Sequence, residues 1–394
     1  MNKQRIKELD VLRVIGFIFV VAQHVVGAYA WREGAAYSDS LILSFLYNFA
    51  KPAVPLFITV TAVSLCSAYL GKMNVLKFYK NRFLYIFLPY VSWTIINIYD
   101  AQHDGTGSYN NFLGQLLAGT GRYHLWYMSL ILQIYLLFPL VLWIARQMIK
   151  RGKPLQVGFL ITFFVFYVIL LKNNEIMDTI ASFIFGSPTT NQQRFLERNP
   201  LLWSIYFVMG MYIFVGNEGF KFWIRRFQKQ IFFLYALSLA YMYYAEIWPH
   251  LPRHIDIGSG YLNCFLYVSF MVLSIIIFYR LGCYIADEMP RVYFFLQRIA
   301  VNTYSGYLAH VIILQAVAEE IIRIYHIKSF LLSGLIIFSL TVVLSLIIAE
   351  TCSLFPFSQV LLGSKNKYYP SFDEIVKRFT MPNRQITGEK AEAR

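Results

Sequence analysis

The stretch Asp10-Val-Leu-Arg13-Val-Ile-Gly-Phe-Ile-Phe-Val-Val-Ala-Gln23-His24 decides how this chain is read. It is apolar enough for a membrane helix, yet it carries an arginine near its start and a histidine further in. At 100° per residue, the eleven steps from Arg13 to His24 turn a helix by about three turns plus 20°. The two side chains therefore share one face, about 16 Å apart along the axis. An ionisable pair aligned inside an apolar span is costly and points to a functional site. The structural alternative is that Arg13 reaches the membrane surface on its apolar stem. His24 would then be a hydrogen-bonded packing residue between helices.

Composition extends this reading to the whole chain. Of 394 residues, 58% are hydrophobic and 14% charged. Apolar runs near the roughly 20 residues of a membrane crossing recur along the sequence, which implies an all-α, polytopic membrane bundle. About ten spans are expected, near 11–30, 42–70, 82–100, 124–145, 155–171, 200–216, 230–248, 260–280, 299–320 and 329–350. They fill residues 1–362 too evenly to leave room for a soluble domain, and 363–394 reads as a polar cytoplasmic tail. With the N-terminus inside, the cytoplasmic segments hold 25 of the 35 basic residues, which predicts an N-in, C-in topology. The net charge of +14 is then mainly a topology signal and an attraction to anionic lipid rather than a nucleic-acid footprint. Ala28-Tyr29-Ala30 imitates a signal-peptidase site, but the preceding run is long and interrupted by Arg13, Gln23 and His24, so it reads as an uncleaved first helix. The four cysteines show no C-x-x-C spacing, so neither a disulfide framework nor a metal site is expected.

Further residues could carry chemistry. His310 and Tyr307, in Ser305-Gly-Tyr307-Leu-Ala-His310, are one turn apart on one face. His310 is expected at a depth similar to His24, and together with Arg13 they suggest a buried polar cavity. His124 opens the fourth span in His124-Leu-Trp126-Tyr127, where it either meets a substrate or belongs to an interfacial aromatic belt. Pro52 and Pro55, next to Lys51, predict a break in the second span that lets a cavity form. Lys77-Phe-Tyr-Lys80-Asn-Arg82 brings cations to the cytoplasmic surface, where they hold phosphates or simply set topology. Outer loops near 101–123, 172–199 and 249–260, the last with His250 and His254, are large enough to frame an acceptor. The spans lack the midplane carboxylate usual in ion-coupled transporters. There is no Walker loop to suggest an ATPase.

These residues resemble the acyltransferase-3 family of multi-spanning membrane acyltransferases over about 10–350. Arg13 and His24 match its first-helix signature. Pro52-Ala-Val-Pro55-Leu-Phe57-Ile58-Thr-Val-Thr61-Ala62 looks like its proline–phenylalanine motif. His124-Leu-Trp126-Tyr127 with Gln133, Tyr135 and Pro139 is similar to its fourth-helix pattern, and Tyr304-Ser305-Gly-Tyr307-Leu-Ala-His310 to its late Ser–Tyr–His motif. The chain departs at Tyr85, where the family usually has a second arginine after Arg82. It departs again at Ile58 and Ala62, which replace a phenylalanine and a glycine.

The resemblance implies transfer of an acyl group, usually acetyl, from cytoplasmic acyl-CoA to a hydroxyl of an extracytoplasmic glycan or lipid-linked saccharide. No tightly bound cofactor is expected; acetyl-CoA or another acyl-CoA is a co-substrate. His24 would be the base or a transient acyl carrier, with His310 and Tyr307 orienting groups or oxyanion donors. Arg13, Lys80 and Arg82 would hold the donor's phosphates. His124 and Trp126 would contact substrate. Many relatives carry an extracytoplasmic esterase-like domain, so this chain is expected to act in the cell membrane alone or with a separate partner. That partner could be a glycosyltransferase. Among stand-alone members it is similar to those that acylate surface polysaccharides. Two other readings stand: a glycan or lipid-linked-saccharide translocator without acyl transfer, and a structural subunit of a polysaccharide synthase.

Overall fold

A computed structural model describes residues 5–103, 105, 107–173, 175–250, 260–325, 329–355 and 358–363. The expected tail beyond 363 and His254 lie outside the described residues. Every expected span is helical. In chain order the helices are α1 (Lys7–Tyr29), α2 (Tyr37–Ala50), α3 (Ala53–Tyr69), α4 (Val75–Arg82), α5 (Leu88–His103), α6 (Phe112–Ala118), α7 (Trp126–Ile149), α8 (Lys153–Lys172) and α9 (Ile176–Phe185). They continue as α10 (Thr190–Glu197), α11 (Ser204–Arg226), α12 (Gln228–Ile247), α13 (Tyr261–Glu288), α14 (Pro290–Ala300), α15 (Thr303–Tyr325), α16 (Phe330–Cys352) and the short α17 (Gln359–Leu362).

Among the described residues, eight stretches are long and apolar enough to cross a membrane. The two other expected spans are α5 and α15. Between α4 and α5 the chain makes a π-helical turn over Phe83–Phe87, and Asn97 and Asp100 lower the apolarity of α5. In α15 the charges of Glu319, Glu320 and Arg323 do the same. The predicted break in the second span is present: α2 stops at Ala50, Lys51 caps it, and Pro52 starts α3. Proline supplies a fixed φ and no N–H, which suits the first turn of the new helix.

Helix α1 is the hub of the bundle. It packs against α2, α3, α13, α14, α15 and α16. Packing between membrane helices depends on van der Waals fit and on small residues that admit close approach. The α3–α11 contact shows this: a Cβ at Gly210 would sit 2.5 Å from the Thr59 carbonyl oxygen. Gly16 does the same for the ring of Phe57, which would lie 3.2 Å from a Cβ there. Large apolar side chains are exposed on the outer faces of α7, α8, α12 and α16, among them Leu136, Ile161, Phe233 and Val343. Such a surface is stable facing lipid and costly facing water.

Candidate active site

Among the described residues three cavities touch α1, and two of them hold the expected site residues, one beside each half of the helix. The first is about 260 Å³ and is lined by Arg13, Ser64, Arg82, Ile86, Tyr127, Tyr135, Tyr304 and Tyr307 among others. Arg13 faces it because Asp10, one helical turn earlier, holds it. The Arg13 Nη1 donates to Asp10 Oδ1 at 2.9 Å and its Nη2 to Ser64 Oγ at 3.1 Å. Asp10 is completely buried, and its other oxygen accepts from Arg5 Nε at 2.7 Å and from the Tyr293 hydroxyl at 3.1 Å. Four donors around one carboxylate would be a strong charge-neutralising set; the three here satisfy it without isolating a buried charge. Arg82 enters the same cavity from the end of α4. Its guanidinium lies over the rings of Phe78 and Tyr135, with centroids 5.2 and 4.9 Å away, a cation–π arrangement that fixes a planar cation without neutralising it.

The second cavity, about 710 Å³, is lined by Gln23, His24, Trp31, Arg32, Tyr47, Tyr123 and Glu246 among others. Glu246 is paired with Lys51, the residue at the α2–α3 break, at 3.1 Å. Trp31 stacks on His250, ring centroids 3.7 Å apart. Gln23 Nε2 donates to the carbonyl of Ala50 at 2.6 Å, so the helix break and α1 are tied together beside His24.

The wall of the first cavity carries a cluster of aromatic rings. Phe57, Tyr127 and Tyr307 pack with centroids 5.8 to 6.4 Å apart. Beside it three imidazoles meet. His24 stacks on His310 with centroids 5.3 Å apart, and His124 meets His310 edge-on at 4.9 Å. Among the described residues no group of ligands is arranged to hold a metal ion. The Tyr307 hydroxyl donates to the carbonyl of His124 at 2.5 Å, and His310 Nδ1 lies 2.5 Å from the carbonyl of Tyr307. A carbonyl only accepts, so Nδ1 of His310 carries a hydrogen and Nε2 holds the lone pair. That Nε2 is buried without a partner, as is His124 Nδ1.

The structure thus places Arg13, Arg82 and Tyr307 on one cavity, and His24 on the other, with His310 and His124 in the same cluster of rings. Lys80 is exposed on α4 and does not line the first cavity. Trp126 packs on Trp203, centroids 5.1 Å apart, and lines neither cavity. His124 is 1% exposed and packs inside the bundle, which removes the belt alternative. Its short 3₁₀ turn, Tyr123–Leu125, precedes α7 and bends it inward. Sequence reasoning gave no role to the anchors of Arg13 or to the rings of the second cavity. Asp10 was readable as an i,i+3 partner, and Trp31 lies just past the end of α1; Ser64 and Glu246 come from distant segments and leave no local signal.

A family model described as an acyltransferase domain (Acyl_transf_3) matches residues 6–350. No curated protein and no solved structure gave a match. The match spans both cavities and nearly every helix, and with the apolar bundle it makes this chain a multi-pass membrane protein that belongs to the acyltransferase-3 family of membrane acyltransferases.

Proposed function

We propose that this protein moves an acyl group, acetyl in the first place, from cytoplasmic acyl-CoA to a hydroxyl of a glycan or lipid-linked saccharide across the cell membrane. The observation that carries the reading is the pair of cavities on one helix: an arginine-lined one and a polar, aromatic one, meeting at a histidine layer. In this reading Arg13 and Arg82 hold the donor's diphosphate, and exposed Lys80 meets its nucleotide end. Ligand cavities are typically about 300–1,000 Å³. The arginine cavity is smaller, so it suits a slender thioester arm with the nucleotide left outside. The larger cavity suits a sugar, which recognition by stacked rings and a few polar groups favours; Trp31, Tyr47, Tyr123, Gln23 and Glu246 provide them.

His24 is the base, since it lines the acceptor cavity. It takes the proton of the attacking hydroxyl as the new C–O bond forms at the thioester carbon. The C–S bond then breaks, and the thiolate leaves with that proton. His310, stacked behind His24, keeps its Nε2 lone pair towards the layer. Tyr307 orients the layer through the His124 carbonyl. The thioester must pass the Phe57–Tyr127–Tyr307 floor to reach His24.

The test is transfer of radiolabel from acetyl-CoA into base-labile cell-surface glycan by membranes holding wild type or His24→Ala. Label with the wild type alone supports the reading. Equal labelling by both overturns the role of His24. Saccharide movement without label, and without acetyl-CoA binding, would instead favour a translocator.

A further inference from the structure

After its last long helix the chain turns back into the bundle. Ser358, Gln359 and Leu362 are buried, and α17 packs against α5, α15, α16 and the π-helical turn over Phe83–Phe87. Two side chains tie it down. Trp93 Nε1 donates to the carbonyl of Leu361 at 3.0 Å, and Ser305 Oγ donates to the carbonyl of Leu362 at 3.1 Å. Gly363 closes the segment with φ +64°, a conformation that favours glycine. A Cβ there would lie 2.3 Å from the Tyr85 carbonyl oxygen and 2.7 Å from the Tyr304 ring.

One of those neighbours, Tyr304, lines the arginine cavity, and the π-helical turn contributes a second wall residue, Ile86. The π-turn directly follows Arg82, and π-turns are frequent at functional sites. Ile86, in that turn, accepts a hydrogen bond from the Tyr304 hydroxyl at 2.9 Å. Arg82, Ile86 and Tyr304 all line the cavity. Residues 358–363 thus pack on Tyr304 and on the π-turn that holds Ile86, and the same turn begins directly after Arg82.

We infer that residues 358–363 are a wedge that positions Arg82 and Tyr304, so that donor binding in the arginine cavity depends on the end of the last helix's own extension. The donor assignment rests on the function proposed above; the positioning does not. Gly363 is a positioning residue, since it would touch no substrate.

Two variants of the full-length protein test this, Gly363→Val, which forces the wall outward, and Ser305→Ala, which removes one tie without adding bulk. Each is read by hydrogen exchange of the amides of residues 83–88 and by the KM for acetyl-CoA, with size-exclusion elution and exchange in α1 as controls for folding. The expected result is exchange at 83–88 faster by tenfold or more in Gly363→Val and by a smaller factor in Ser305→Ala. KM for acetyl-CoA should rise about five- to twentyfold in Gly363→Val, with kcat within twofold and the acceptor KM unchanged. If Gly363→Val does not fold, Ser305→Ala carries both readouts. Unchanged exchange at 83–88 in the folded variants overturns the wedge, whatever the donor data show. Faster exchange with an unchanged donor KM overturns its role in the cavity. Faster exchange where the wild type itself neither binds nor turns over acetyl-CoA leaves the wedge standing and removes the donor assignment.

Discussion

Replacing Asp10 with asparagine tests how the arginine cavity is held. The carboxylate is 1% exposed on its side chain, Arg13 34% and Arg5 51%. Asparagine has the same shape but no charge, and its amide meets a guanidinium. The Arg13–Asp10 bond is charge-assisted, a kind that contributes about 1.5–3 kcal/mol. Partial exposure of Arg13 places it at the lower end of that range. Without it Arg13 keeps only the 3.1 Å bond to Ser64. A donor phosphate must then order a freer side chain, at about 0.5–1.5 kcal/mol. At 1.4 kcal/mol per tenfold, KM for acyl-CoA should rise about two- to twelvefold while kcat stays near wild type. Arg13→Ala removes the cation itself; for a side chain one-third exposed the loss falls at the low end of the range for buried charge pairs, about 2 kcal/mol, and should raise that KM about thirtyfold. Tyr293→Phe deletes one hydrogen bond to the Asp10 carboxylate but leaves both of its arginine contacts, and should leave KM within about twofold. The assay is initial-rate transfer from radiolabelled acetyl-CoA at saturating acceptor, in membranes with matched protein levels. A folded Asp10→Asn protein with unchanged donor KM, or one that loses kcat at constant KM, would refute the clamp.

Other substitutions address the remaining parts. His24→Ala should lower kcat by about a hundred- to ten-thousandfold, the usual range for a lost general base, with donor binding by equilibrium dialysis unchanged. Trp31→Ala, which removes the ring stacked on His250, should raise the acceptor KM several-fold and leave the donor KM alone in the same transfer assay. Gly210→Val should drive α3 from α11 and cost about 1–3 kcal/mol, read as a lower thermal unfolding midpoint in detergent; an unchanged midpoint would mean that the helices do not need this close approach.

The bundle was legible because hydrophobic length is a strong signal. Each expected span falls on a helix, and the Lys51–Pro52 break lies where two prolines placed it. The shared face of Arg13 and His24 was also legible from helical period alone. The division of labour between them was not. Periodicity places two residues on one stripe, but only packing against α3, α7 and α15 shows that Phe57, Tyr127 and Tyr307 close the stripe between them. His124 was legible only as two alternatives: a histidine and a tryptophan at the end of an apolar run look like a belt, and only the contacts to α15 show that the imidazole is buried in the bundle. The domain boundary at 362 falls directly after Val360-Leu361-Leu362, but what this stretch packs against was not legible, because its partners Trp93 and Ser305 are far away in the chain.

The aromatic floor has a consequence for the cell's energy economy. A membrane protein with polar hollows along one helix risks a continuous wet path, and protons would follow it down the gradient. A unit charge crossing 100 mV releases about 2.3 kcal/mol, so even a rare leak dissipates respiration. Phe57, Tyr127 and Tyr307 pack ring on ring in such a path, the Tyr307 hydroxyl donates to the His124 carbonyl, and a stack of this kind would resist a water file. In the acyl-transfer reading, the rings that a thioester passes would then double as electrical insulation. Thinning them, as in Phe57→Ala with Tyr307→Ala, should lower the membrane potential of expressing cells, visible with a potential-sensitive dye; an unchanged potential would mean that the rings are not the barrier.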